Sequence, residues 1–280
     1  APASPLSTGA QNVDVTLKNY GLNTLTSATI NWTVNGVAQT AYSYTGTLAA
    51  DATTSVTLGS YNFAAGTSNI VAWTTSPNGN SDNDTSNDSA AVSLCTSLSG
   101  NKTIGGVGAD YATPAAAAAD LSSCGVSGPV TFTVAAGTYT GEFTIGAISG
   151  ASATNTITFD GTSAATTTFT YDGANTQNST VHLDGADYVT FQNLTIANTE
   201  SASYGWGVHL SNGADNNTID NCIINVNTTS TSSSFAGVIS SNSNTSTSSY
   251  GNNANNTMVS NTAVNGGYYG VRFNGSSSSS

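Results

Sequence analysis

The side chains that could do chemistry in this chain stand at matching places in a repeat. His182 in Val181-His182-Leu183 is matched by His209 in Val208-His209-Leu210. Ile239 in Val238-Ile239-Ser240 and Arg272 in Val271-Arg272-Phe273 continue the line. These middle positions point outward from short alternating strands and should stack along one face. Asp184, Asp187, Glu200 and Asp215 lie near them in sequence, as do the aromatics Tyr204, Trp206, Tyr268 and Tyr269. Such a mix suits a sugar-binding groove, with aromatic faces for the rings and carboxylates for the hydroxyls. The same residues equally fit the solvent face of a polar repeat, with Ile239 interrupting the line.

A second cluster is Asp82-Asn83-Asp84 with Asp88 four residues on. It could bind Ca²⁺ through a loop of oxygen ligands, although the Gly and Glu positions of an EF-hand are missing. The competing reading is a turn, because Asp and Asn bond their own backbone there. Of the three cysteines, Cys222 sits beside Ile223 and Ile224 and reads as a buried free thiol. Cys95 and Cys124 flank the start of the second domain, and an oxidising compartment would allow them to pair. No Cys-x-x-Cys pair suggests a metal site.

The elements that must position these residues are repeats of short strands. Phe191 to Ile196, Ile219 to Ile224 and Val259 to Val264 can be superposed, each with an Asn between two strands: Asn193, Asn221 and Asn261. The step of about 27 to 40 residues, with no helical period between strands, predicts stacked coils of a parallel β-helix. Asn suits the bend because it tolerates left-handed backbone. Stacked Asn side chains would then bond from coil to coil, satisfying amides that would otherwise be buried without partners.

Residues 10 to 94 read differently, as about seven short strands with a hairpin turn at Asn35-Gly36, which predicts an antiparallel β-sandwich. A link around Cys95 to Gly100 follows. Five alanines behind Thr113-Pro114 predict a short helix capping the open first coil. Residues 228 to 256 read as a Ser/Thr/Asn-rich insertion hanging off one coil around an apolar island, Phe235 to Ile239. The expected domains are therefore 1–94, an immunoglobulin-like sandwich, and 95–280, a right-handed parallel β-helix. The whole is all-β.

Asn12-Val-Asp-Val-Thr-Leu-Lys-Asn19 and Ile30-Asn-Trp-Thr-Val-Asn-Gly36 resemble the immunoglobulin-like CARDB modules of bacterial surface proteins. That resemblance implies a spacer or adhesion module. Asp88-Ser89-Ala90 matches an O-glycosylation pattern of some Bacteroidetes-type bacteria. The second part resembles the pectate-lyase-like and pectinesterase-like superfamily of right-handed β-helices. The carrying residues are the cap, Ala136-Gly-Thr-Tyr139, Thr156-Ile-Thr-Phe-Asp-Gly161 and Phe191-Gln-Asn-Leu-Thr-Ile196. The resemblance implies that the face carrying His182, His209 and Arg272 is where an active site would stand. Against catalysis, Arg272 is the only Lys or Arg after Lys102, and neither an Asp-Asp pair nor a Gly-His-Gly occurs. No residue is therefore assigned a catalytic role.

Composition narrows the partners. Only 3 Lys and Arg stand against 15 Asp and Glu, for a net charge of −12. Phosphate binding rests on clustered cations, so nucleic acid is excluded. No stretch reaches the ~20 apolar residues of a transmembrane helix. Ala1-Pro2-Ala3-Ser4-Pro5 reads as the start of a mature or excised chain, and the Ser276 to Ser280 run suggests that the natural chain continues. The Ser/Thr/Asn-rich makeup points to an extracellular or cell-surface location. The expected role is structural or adhesive, within a larger adhesin, stalk or filament. Its partners would be polysaccharide, other surface proteins or further copies. The alternatives are a polysaccharide-active lyase or hydrolase and a noncatalytic glycan-binding module. No cofactor is expected beyond Ca²⁺ at the aspartates.

Overall fold

The computed structural model describes residues 6–64, 66–172, 178–200, 203–250 and 254–275. The Ala1–Pro5 start and the Ser276–Ser280 run lie outside the described residues. The chain divides into two units, Ala1–Ser97 and Leu98–Ser280.

The first unit holds β1 (Gly9–Lys18), β2 (Leu25–Val34), β3 (Val37–Ala38), β4 (Tyr42–Leu48), β5 (Thr53–Phe63), β6 (Thr67–Thr75) and β7 (Ser89–Cys95). Strands β3-β2-β6-β7 form one antiparallel sheet, with β4 also on β2, and β1 pairs with β5 in the other. Val13, Leu17, Val56 and Leu58 from one sheet meet Ile30, Trp32, Val34 and Ile70 from the other in a single core. Strands β2, β5 and β6 therefore show the in-out alternation read from the sequence. The Asn35-Gly36 turn has φ of 50° and 77°, the left-handed pair that a tight hairpin needs.

The second unit begins with β8 (Leu98–Ile104), α1 (Pro114–Cys124), β9 (Val126–Val134), β10 (Gly137–Thr140), β11 (Phe143–Gly146), β12 (Ile157–Asp160) and β13 (Thr167–Tyr171). It continues with β14 (Ser179–Asp184), β15 (Val189–Gln192), β16 (Thr195–Asn198), β17 (Gly205–Ser211), β18 (Thr218–Asp220) and β19 (Ile223–Asn225). The last described strands are β20 (Phe235–Ser240), β21 (Met258–Ser260), β22 (Ala263–Asn265) and β23 (Tyr269–Phe273). They form three parallel sheets: β8-β9-β12-β15-β18-β21, β10-β13-β16-β19-β22 and β11-β14-β17-β20-β23. This is the expected parallel β-helix.

In-register stacking builds its core. Phe132, Phe159 and Phe191 follow one another on successive coils, with ring centroids 4.8 and 5.3 Å apart and nearly parallel planes. Helix α1 is the expected cap. Thr113 Oγ1 accepts the Ala116 N–H at 3.2 Å, and Ala117, Ala118 and Leu121 are buried against β8 and β11. Cys95 and Cys124 are disulfide-bonded, and Cys222 is free and buried.

Three local features differ from the sequence reading. The expected link around Cys95 to Gly100 shrinks to Thr96 and Ser97, because Cys95 ends β7 and Leu98 opens β8, whose only buried apolar residues, Leu98 and Ile104, stand at its two ends with polar residues between. That spacing hides the period-2 signal. The island Phe235 to Ile239 is not part of a dangling loop. As β20 it is a fully buried strand in register with β17, so the extra residues form two segments on either side of it.

The asparagine ladder also differs. Asn193, Asn221 and Asn261 do take the left-handed bend, with φ of 56°, 49° and 48°. Asn221 Nδ2 donates to Asn193 Oδ1 at 2.7 Å, but Asn261 donates to Asp220 Oδ1 at 2.9 Å instead. These side chains lie at the surface, and the residues after the first two bends, Leu194 and Cys222, turn into the core. The amides tie coils together on the outside rather than filling a buried polar gap.

Close approach of two sheets requires glycine at Gly207 in β17. A Cβ there would stand 2.4 Å from Ile224 Cγ2 and 2.6 Å from the Gly237 carbonyl oxygen. Gly207→Ala should therefore cost about 1–3 kcal/mol of stability, read as a lower midpoint of urea unfolding. Gly146→Ala, whose Cβ meets only ordinary contact at 3.9 Å, serves as the control and should leave the midpoint nearly unchanged.

Candidate functional site

The face singled out by the sequence is the outer side of β14-β17-β20-β23. His182, His209, Ile239 and Arg272 stand in one register column there, as expected. Ser179, Trp206, Ala236 and Tyr269 form a second column three residues earlier in each strand. The imidazoles of His182 and His209 lie flat on each other, 4.4 Å between centroids and 7° between planes. The Trp206 indole meets His209 edge-on at 4.8 Å. Trp206, Ala236 and Ile239 form a small apolar cluster, flanked by Tyr204 and Tyr269.

The expected open groove is not there. His209 is 1% exposed and His182 7%, and Trp206 and Ile239 are fully buried. The two segments beside β20 roof this stretch of the face. Trp206 Nε1 donates to the Ser234 carbonyl at 2.9 Å, and His209 Nε2 lies 2.8 Å from the Ser241 carbonyl. Thr247 Oγ1 donates to the Ser233 carbonyl, joining the two segments, and Asn274 Nδ2 donates to the Thr247 carbonyl. Asn178 Nδ2 donates to the Asn244 carbonyl from the other side. A roof of small polar residues carries no apolar periodicity, so nothing in the sequence marked these serines and threonines as cover.

Hydrogen-bond direction decides what the buried groups can do. A carbonyl can only accept, so His209 carries its proton on Nε2. Ser211 Oγ donates to Asp184 Oδ1 at 3.0 Å and so accepts from His182 Nε2 at 2.8 Å. A nucleophilic serine needs the reverse order, with its own hydroxyl donating to the imidazole. The His–Ser–Asp chain is thus a proton-satisfied strut. Burial pushes His209 down to about 3, and neighbouring His182 reinforces this; burial lowers His182 too, against the opposing pull of Asp184. Burial would raise Asp184, but hydrogen bonds from Asn212 and Ser211 hold it below the usual carboxylate range.

The other candidates are placed as follows. Tyr268 is exposed, and Arg272 lies over the Tyr269 ring at 4.4 Å. Asp187 accepts the Asp215 N–H, and Asp215 accepts from Asn255, so both serve turns. Asp82 accepts the Asp84 N–H at 3.0 Å, and Asp84 accepts the Ser86 N–H at 3.1 Å. Asp88 takes the Thr74 hydroxyl and is raised by burial and by the Asp82 charge. Among the described residues, no group of three His, Cys, Asp or Glu is placed to hold a metal ion. The Cys222 thiol, pushed up to about 11 by burial, is unreactive. One feature had no sequence signal: a cleft of about 380 Å³ beside β16 and β19, lined by Asn198, Glu200, Asn225, Asn227 and Thr229.

No protein-family model and no curated protein matches the chain. Several solved structures are similar in part, among them the following three. The CARDB domain of the PF1109 protein from Pyrococcus furiosus, in complex with di-metal ions, is 17% identical. That match covers 32% of this chain and 75% of that one, with a TM-score of 0.27. Pectin methylesterase PemA from Erwinia chrysanthemi is 15% identical over 52% of this chain, with a TM-score of 0.37; the match spans 49% of the methylesterase. The Agl-KA catalytic domain is 14% identical over 95% of this chain and 66% of that one, with a TM-score of 0.24. These likenesses concern fold alone.

The neutral imidazoles make stability depend on pH. His209 titrates near 3 in the fold against 6.5 when exposed. Its contribution is complete above the unfolded value and is lost as pH falls, because the unfolded chain takes up a proton that the fold refuses. Between pH 7 and pH 5 the loss is about 2 kcal/mol from His209, and His182 adds to it with the same sign. Asp160, Asp184 and Asp220, all lowered, act only in the more acidic range around and below pH ~4. Melting temperature should therefore fall from pH 7 to pH 5, and His209→Gln should flatten that slope. A flat wild-type profile would sink the assignment.

Proposed function

We propose that this chain is a noncatalytic structural or adhesive module of an exported surface protein. The observation that carries the reading is the fate of the chemistry-bearing column. His182, His209 and Ser211 are closed under a roof; His209 is satisfied by the Ser241 carbonyl, and His182 meets Ser211, which is tied to the half-buried Asp184, as parts of a scaffold are. The disulfide-bonded Cys95 and Cys124 fit an oxidising, extracellular compartment. A net charge of −12 with 3 cations fits a partner other than nucleic acid. A solenoid supplies length and a repeating lateral face for self-association or for other surface proteins, and a sandwich supplies a spacer, with no need for a reactive group. Among the described residues no helix is long and apolar enough to cross a membrane.

The test is turnover on a panel of neutral, uronate and sulfated polysaccharides, with and without Ca²⁺. The expected result is no new reducing end and no unsaturated uronide. Cleavage abolished by His209→Gln would replace this reading with that of a polysaccharide lyase or hydrolase.

A further inference from the structure

Arg272 is held in place yet left with unused donors. Its Nε donates to Asn274 Oδ1 at 3.2 Å, and its guanidinium lies 4.4 Å over the Tyr269 ring. Among the described residues it has no ion pair, and its two terminal nitrogens meet no acceptor. The chain carries 15 carboxylates and 3 cations, so an arginine without a carboxylate is not explained by a lack of acids. Tyr269 is anchored in turn, packing on the Trp206–Ile239 cluster. Beside it Tyr268 meets the Tyr269 ring edge-on at 4.7 Å and leaves 57% of itself exposed.

The backbone explains the placement. Gly266 and Gly267 have φ of 83° and 75°, and a Cβ on Gly266 would stand 2.4 Å from the Val226 carbonyl oxygen. That corner is tied by Gly267 N–H to the Asn227 carbonyl at 2.8 Å and by Tyr268 N–H to the Phe235 carbonyl at 3.0 Å. The result is a tied corner in which Tyr269 meets the exposed Tyr268 ring on one side and the Arg272 guanidinium on the other.

We propose that Tyr268, Tyr269 and Arg272 form a binding site for an anionic sugar. The fork pairs two donors with the two oxygens of a carboxylate or sulfate, which a flexible ammonium does less well. The exposed Tyr268 ring offers a flat apolar surface to the C–H face of the pyranose. Aromatic area beside the cation favours a sugar acid over an acidic peptide, which needs the charge alone. The site names the ligand chemistry of the adhesive module proposed above, and it stands outside the roofed histidine stretch.

The test is retention of the full 280-residue chain on immobilised neutral glucan, uronate polymer, sulfated polysaccharide and polyglutamate. Retention is expected on one or both anionic glycans and not on the glucan; the stronger of the two identifies the anion. Arg272→Gln should weaken it at least about tenfold, Arg272→Lys less, and Tyr268→Ala severalfold, with unchanged circular dichroism. No retention on either anionic glycan, or an unaffected Arg272→Gln variant, overturns the site. Equal retention on polyglutamate that survives Tyr268→Ala overturns the sugar. Failure of binding without cleavage leaves the scaffold reading standing, whereas cleavage by the wild type defeats that reading instead.

Discussion

Everything in the second unit depends on one pairing rule: each coil satisfies its backbone N–H and C=O groups on the coils before and after it, in register and in parallel. Strands so paired lie about 4.8 Å apart, so the side chain at a given position sits on its own counterpart. The rule is indifferent to what that side chain is. Where it is phenylalanine, rings stack and the core fills. Where it is histidine, two imidazoles are pressed to 4.4 Å, and both can remain there only uncharged. Where it is aspartate, the neighbouring coils answer with amides and a hydroxyl. Asp160 accepts from Asn193 and Gln192, and Asp220 from Asn261 and Ser260. The chemistry of the outer faces is thus set by stacking before any ligand is considered.

The parts legible in the sequence are those that repeat. Val-x-Leu pairs, the Asn bends and the alanine helix behind Thr113-Pro114 carry their own spacing, and each lies where that spacing puts it. The column of His182, His209, Ile239 and Arg272 was likewise readable, because register follows from period 2 and a fixed bend. Solvent access to that column was not. It depends on the path of the two segments flanking β20, whose serines and threonines satisfy carbonyls one at a time through contacts specific to the fold, such as Thr247 on Ser233. Local composition announces such segments as loops and is silent on whether they stand away from the surface or lie down on it. β8 failed for the opposite reason, since it pairs well but has too few apolar residues to show a period.

Histidine on the outer face is also where the bland and the sharp readings separate. An imidazole near a serine and an aspartate invites a catalytic interpretation, yet the Ser211 hydroxyl is directed at Asp184, the reverse of the order a nucleophile needs. Ser211 spends its hydrogen on Asp184 and has none for His182. The one cation in the same column has the opposite character, fixed by an aromatic ring and an amide and carrying donors that meet no acceptor among the described residues. Position in a stack is shared, and function diverges by what closes over each rung.

The left-handed asparagine bends have a consequence for how such a chain can diversify. Asn193, Asn221 and Asn261 stand 28 and 40 residues apart, yet the strands after them begin in the same register. The corner acts as a reset: whatever length of chain precedes it, the next coil starts from the same backbone geometry. The outward segments are therefore interchangeable parts on a constant rack, where insertion or replacement alters what is displayed without moving what displays it. A lineage, or a designer, can revise one coil's display at a time while the hydrogen-bond ladder beneath it stays as it was.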